Sequence, residues 1–423
     1  MNDMLKSRAG SDEGMLSWLW NMLRQRFACD KVLIIITILF FGISIVAVYT
    51  ASSQIGFKNG TIDSEFRRHI GAIILAIVAL LLSYWPSPAT YRKFTFFAYA
   101  VSLILTLLPY FMDSATNDEH RWLDLGFIRF QPSELLKIGT VMLLSAQISA
   151  RYHKIQELHL MPTTFNIKRW WTDPKERAII QREVLPLVTP IALACIAIVP
   201  SHTSSAIHIC LVSIGMLTLA RIRVKELVKL GVVAAILGVA LIFLIGRGDT
   251  VVNRVKNWVG IEQTTDNKAM DGYYSELAIH NGQLTGVGAG RSMMRAKLTH
   301  PESDYLFAII AEEFGILPSA IIILLYVWLF SRAVRIFEKC EWIYGGLLAV
   351  GLALLITSQG FIHVSVVLGI IPETGQNLPF ITHGRTGMAC AAIAMGMILS
   401  ISCHTNRGDI HPPTKHQKQN LPK

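Results

Sequence analysis

KVLIIITILFFGISIVAVYTAS, residues 31–52, carries no charge after Lys31. At about 1.5 Å per residue such a helix crosses an apolar bilayer core about 30 Å thick. Runs of the same kind recur at 69–86, 93–112, 131–149, 184–200, 203–220, 226–246, 304–331, 342–369 and 384–403. Of the 423 residues, 52% are hydrophobic and 16% charged, and the mean hydropathy is +0.44; soluble domains carry about 25% charged residues. The runs are continuous, without the alternation of a barrel strand, so each must satisfy its backbone as a helix. The expected fold is an all-α polytopic membrane protein with about ten transmembrane helices and a long extracytoplasmic loop, 247–303, between the seventh and eighth; the eighth and ninth runs are longer than a crossing needs, which leaves them tilted, broken or partly outside the bilayer.

Basic residues orient the chain. With the N-terminus inside, the inner segments hold roughly 24 Lys and Arg against roughly 13 outside, and the short loops at Arg92-Lys93, Arg221–Lys225 and Arg332–Lys339 all fall inside. Both termini are then cytoplasmic, with three regions: 1–30 as an inner segment, 31–403 as the membrane domain and 404–423 as a polar, disordered tail. Residues 15–27, MLSWLWNMLRQRF, and Lys168-Arg169-Trp170-Trp171 mix aromatic and basic groups as headgroup-level anchors do. The first run is too long for the apolar part of a cleaved signal. The net charge of +10 is spread over many short loops, which points to membrane lipids and excludes nucleic acid as a partner. Cys29, Cys195, Cys210, Cys340, Cys390 and Cys403 show no metal-type spacing, so neither a disulfide nor a metal–thiolate site is expected.

By this topology four polar clusters meet at the outer face. Arg67-Arg68-His69 precedes the second span. RWLDLGFIRFQPSELLK, 121–137, opens the fourth, with Pro132 in the first helical turn and Glu134 and Lys137 on one helix face. That pair is read two ways, as an ion pair seating the helix and as a functional charge at membrane depth. The third cluster, GVGAGRSMMRAKLTHPESDYLFAIIAEEFG, 286–315, joins a mobile cationic loop with Arg291, Arg295 and Lys297 to Asp304. The loop lacks the Lys-Ser/Thr of a phosphate loop; it is either a flexible linker or a place for close backbone approach to a bulky anionic ligand. Asp304 is either a dipole-stabilised acid with Ser303 as helix cap or a catalytic carboxylate. Glu312 and Glu313, deeper in the same span, call for a basic partner or hydration. The fourth cluster, GIIPETGQNLPFITHGR, 369–385, breaks helical continuity with Pro372, Gly375, Pro379 and Gly384, and offers His383 and Arg385.

These clusters, in this order, resemble the SEDS family of shape, elongation, division and sporulation proteins (RodA, FtsW and relatives), most closely the FtsW type. RWLDLG…QPSELLK is similar to the family's RW-x-x-L-G…QPSE-x-x-K, AIHNGQLTGVGAGRS (278–292) to its glycine-rich loop, SDYLFAIIAEEFG (303–315) to its TDF…EE-x-G, and GIIPETGQNLPF (369–380) to its P-x-TG-x-x-LPF. The resemblance runs from about residue 31 to 403. The chain departs from the family pattern at 199–206, VPSHTSSA, at 300–304, HPESD, and at 382–387, THGRTG.

The resemblance implies a peptidoglycan glycosyltransferase that polymerises lipid II outside the cytoplasmic membrane. It implies a class B penicillin-binding protein and other division proteins as partners, and a divalent metal, Mg or Mn, as cofactor. It makes Asp304 the catalytic acid and a possible metal ligand. Substrate binding falls to Arg68, Arg121, Gln131, Glu134, Lys137, Ser292 and Arg295. A division role is expected; an elongation role is the alternative within the family, and lipid II flipping the alternative outside it. Against flipping, the polar clusters gather at one end and the middles of the spans are aliphatic.

Overall fold

The computed structural model describes residues 29–59, 62–111, 121–124, 129–152, 180–246, 248–259, 270–382 and 384–408. The two expected interfacial segments, His383 and the tail beyond 408 lie outside these residues. The helices are α1 (Lys31–Asn59), α2 (Ile62–Tyr84), α3 (Pro88–Leu107), α4 (Pro132–Arg151), α5 (Leu185–Ile198), α6 (Thr203–Leu219), α7 (Val224–Leu244), α8 (Gly248–Val259), α9 (Asp271–Gly282), α10 (Leu306–Phe314), α11 (Ile316–Lys339), α12 (Ile343–Val367) and α13 (Arg385–Arg407). A two-stranded antiparallel ribbon, β1 (Leu123–Asp124) with β2 (Arg129–Phe130), precedes α4.

Among the described residues seven helices, α1, α2, α3, α7, α11, α12 and α13, are long and apolar enough to cross a membrane; α5 and α6 are apolar but shorter. The chain is a multi-pass membrane protein. α12 and α13 form the centre, mostly buried, with α13 along α2, α11 along α12 and α3 along α4. At the other extreme α7 buries 6% of its span, so most of its apolar surface faces outward, as suits lipid contact.

The eighth span is broken, one of the alternatives its length leaves open. Instead of one helix over 304–331, the short buried α10 ends at Phe314 and α11 starts at Ile316. Gly315 between them has φ +87°, a left-handed conformation that costs a residue with a Cβ and not glycine. Ser303 does not cap a helix; Tyr305 occupies the cap position without a side-chain cap bond.

The glycine-rich loop is docked. Val287 N–H donates to Glu312 O at 2.9 Å, Gly288 N–H to Glu313 O at 3.0 Å, and Ile316 N–H to Gln283 O at 2.9 Å. α9 ends against this seam so closely that a Cβ on Gly282 would lie 1.9 Å from the Ala311 carbonyl oxygen.

Residues 368–382 cross the bundle end without helix, as the prolines and glycines predict. Leu378, Phe380 and Ile381 are buried. Tyr326 OH donates to Pro379 O at 2.6 Å, Ser44 Oγ to Ile381 O at 2.9 Å, and the Phe380 ring stacks on Phe40 with centroids 5.4 Å apart. Irregular backbone at this depth is thus covered by protein.

Because nothing flexible lies opposite Gly282, Gly282→Ala must push two backbones apart. It is expected to destabilise the protein by about 3 kcal/mol or more, read as a lower unfolding temperature in detergent.

Candidate functional site

The seam fixes α10 and so the turn that carries Asp304. Beneath it both deeper carboxylates are consumed. Glu312 accepts from Ser292 Oγ, from Met293 N–H at 3.2 Å and from Met294 N–H at 3.3 Å. Glu313 pairs with Arg295, both side chains at most 1% exposed. A buried ion pair has this form, each charge held by its partner. Arg295 and Ser292 therefore tie the loop to α10, and neither side chain is presented to the bundle end.

Asp304 stands differently. It lies on the turn at 301–305, half-buried, with its N–H donating to His300 O at 3.1 Å. No ion pair or hydrogen bond engages its carboxylate among the described residues. Two acids share its surroundings. Asp271, at the start of α9, is pushed above the ordinary carboxylate range by burial, with the Asp304 charge adding to this and Thr299 and His300 opposing it. Glu373 is pushed up by burial and by the Asp271 and Asp304 charges, against the Tyr305 hydroxyl that donates to it and the Arg254 charge. Three buried polar atoms in the same segments have no partner: Glu302 Oε2, Thr374 Oγ1 and His363 Nε2. Buried polar groups are nearly always bonded, so this grouping marks a place built to receive polar atoms.

The second constellation opens α4. Lys137, 1% exposed, reaches Glu134 at 2.7 Å and donates to Gln359 Oε1 at 3.0 Å. Gln359 Nε2–H donates to Asn377 O at 3.1 Å. Gln131 caps α4 ahead of Pro132, its backbone N–H donating to Thr386 Oγ1 at 3.3 Å and its side chain to Ser133. α4, α12, α13 and the 369–384 segment are thereby bolted together, with Glu134 12% exposed as the edge of the network.

A link between the two constellations was missed in the sequence. His202 caps α6, its Nδ1 accepting from Ser205 N–H at 3.1 Å. Gln376 donates to Ser205 Oγ at 3.1 Å, and His363 Nδ1 bonds the Gln376 carbonyl at 2.8 Å. Burial, with the charges of Arg121, Lys137 and Arg254, pushes His202 down to about 3, so the ring is neutral. Arg121 donates to Ser201 O at 3.1 Å, and Arg254 of α8 to Glu373 O at 3.4 Å. Arg254 is a second omission; only its amphipathic setting in α8 signalled it. Arg68 is exposed on α2 beside buried His69, which bonds Ser44 at 3.0 Å. No contact joins Arg68 to Asp304. Arg385 is exposed at the start of α13.

Among the described residues no group of three or more His, Cys, Asp or Glu side chains is placed to hold a metal ion. The expected divalent metal has no ready-made protein cage at Asp304, and no chemical step below runs through one.

These features define a polytopic helical membrane protein with a cluster of ionisable groups at one end of the bundle, around the unengaged Asp304 carboxylate. The chain belongs to the FtsW/RodA/SpoVE family of cell cycle proteins, whose profile matches residues 30–407. It is 26% identical over 393 residues to the probable peptidoglycan glycosyltransferase FtsW of Haemophilus influenzae, covering 90% of this chain and 92% of that one. To stage V sporulation protein E of Bacillus subtilis it is 25% identical, over 90% and 99% of the two chains. Its fold is similar to a chain of a peptidoglycan synthase complex that coordinates polymerisation and crosslinking (TM-score 0.67, 18% identity, 90% and 99% covered). It is also similar to Thermus thermophilus RodA (TM-score 0.58, 18% identity, 89% and 98% covered).

Two outcomes follow from the charges. Lys137→Ala strands Glu134 in a dry setting and is expected to cost about 3–5 kcal/mol, whereas Glu134→Leu with Lys137→Met restores most of the loss; thermal unfolding of the single and double variants measures both. Glu373 binds its proton more tightly folded than unfolded, so its contribution to stability is present below the unfolded value of 4.5 and is lost as pH rises through the raised folded one. Glu373→Gln, which still accepts from Tyr305, is therefore expected to raise the unfolding temperature at pH 7, with the gain vanishing as pH falls below 4.5; melting curves across that range test the sign.

Proposed function

We propose that this protein is a peptidoglycan glycosyltransferase that polymerises lipid II on the outer face of the cytoplasmic membrane during septal synthesis, with both termini inside. The observation that carries this reading is the Asp304 carboxylate, half-buried and without an ion pair or hydrogen bond among the described residues, on a turn clamped by the seam. Membership of the family and the names of the relatives supply the substrate class.

In the proposed step the 4-hydroxyl oxygen of the acceptor's GlcNAc forms a bond to C1 of the donor MurNAc. Asp304 takes the hydroxyl proton. The bond from C1 to the pyrophosphate oxygen breaks, and undecaprenyl pyrophosphate leaves with the electron pair. Attack from the face opposite the leaving group inverts C1. The leaving group gains negative charge and needs cations aimed at it. Arg121 and Arg254, half-buried at the bundle end, suit this better than Arg295, which Glu313 holds. Lys137, Glu134 and Gln131 then act by seating α4 against the 369–384 segment. Glu302, Thr374 and His363 offer the unpaired polar atoms that sugar hydroxyls would meet.

The partner in this reading is a class B penicillin-binding protein that crosslinks the product, within a larger set of division proteins. The fold's likeness to a chain of a synthase complex supports that assignment.

The test is polymerisation of fluorescent lipid II by purified protein with its cognate transpeptidase, in moenomycin to silence other synthases. Wild type is expected to give glycan ladders and Asp304→Asn none, at least 100-fold below wild type, with an unchanged melting temperature. Ladders from Asp304→Asn near wild-type yield would overturn the assignment.

A further inference from the structure

At the end of the bundle opposite Asp304 three spans finish together: α1 begins at Lys31, α11 ends at Lys339 and α13 at Arg407. Between them lies a cavity of about 370 Å³, lined among others by Lys31, Arg332, Arg335, Lys339, Ser402 and Asp30. The mechanism above uses none of these residues.

Its floor is built. Asp30 holds Arg332 through two hydrogen bonds, the Nε–H bond being 2.8 Å long. The Asp30 N–H donates to Ser402 Oγ at 2.9 Å, and Asp30 Oδ1 accepts the Val32 N–H at 2.9 Å. One acid thus ties α1, α11 and α13 together and neutralises one arginine. Lys31, Arg335 and Lys339 remain, exposed at the rim, with no ion-pair partner among the described residues. Four cations against a single engaged acid leave the cavity with net positive charge. Such an excess beside a bonded serine hydroxyl is the chemistry of a phosphate site.

Its depth fixes the source of the anion. The three helices stop being apolar at the cavity, which places it at headgroup level. By the Lys and Arg distribution this face is cytoplasmic, where anionic phospholipids give the membrane surface its negative potential. Ile336 lines the cavity as well, giving an apolar wall beside the charges. α11, 24 residues long, separates the cavity from the Asp304 end by about 36 Å, so the two ends address different leaflets.

We propose that this cavity binds a phosphate group, supplied by the headgroup of an anionic phospholipid of the inner leaflet.

Native mass spectrometry of the full-length protein, titrated with phosphatidylglycerol or phosphatidylcholine, tests the assignment. Wild type is expected to retain phosphatidylglycerol and not phosphatidylcholine. Arg335→Gln with Lys339→Gln should weaken phosphatidylglycerol binding about 30-fold, each surface cation contributing about fivefold. Lys339→Arg should preserve binding. Both changed residues are exposed, and an unaltered melting temperature shows the fold intact. Displacement of the lipid by millimolar inorganic phosphate would keep the phosphate site and move its source to a soluble anion. Equal retention of phosphatidylglycerol by wild type and the double variant, or equal retention of both lipids by wild type, would overturn the proposal.

Discussion

Everything at the Asp304 end depends on one backbone seam. The loop after α9 donates and accepts hydrogen bonds along the end of α10, and this is possible only because Gly282 and Gly315 let the chains approach within the radius of a side chain. The seam has few partners of its own, so it is reinforced from below. Glu312 gathers three donors from 292–294, and Glu313 closes on Arg295. Two carboxylates that the sequence shows only as charges in need of a partner are thus spent on holding a third in place.

The division of labour among charges follows from burial. Where both members of a pair are nearly dry, as with Lys137 and Glu134 or Arg295 and Glu313, removing one leaves the other without solvation, and the pair is retained as a unit. Where buried or half-buried acids are neighbours without a cation of their own in close contact, as with Asp271 and Glu373, burial and like charge disfavour the ionised form at a cost in stability. Active sites are commonly built on such unfavourable groups. His202 shows the third solution: surrounded by cations, it stays neutral and works as a helix cap.

The all-helical membrane fold was legible because a continuous apolar run has one stable form in lipid, and the break after α12 because proline and glycine do not continue a helix; of the ten expected spans, seven are matched by helices long and apolar enough to cross among the described residues. Glu134 and Lys137 were legible as a pair by helical spacing. What could not be read was partnership across long separations. Arg295 carries a charge suited to phosphate, and only the fold reveals that Glu313 neutralises it. The stretch VPSHTSSA read as a mere departure, whereas His202 there caps α6 and Ser205 receives Gln376. The length of the eighth span allowed a break, but its place was hidden because a single glycine within an apolar run leaves the hydrophobic pattern unchanged, although its backbone turns through a left-handed residue.

That glycine also separates two mechanical duties. A transmembrane helix tilts to match the thickness of its bilayer, and an acid fixed rigidly to α11 would swing with it. Asp304 is carried instead on the far side of Gly315, on a turn that leads into a short helix anchored to a neighbouring loop. Tilt of α11 therefore does not pass to the carboxylate along a continuous helix; it meets first the seam, where Ile316 N–H bonds the loop at Gln283 O.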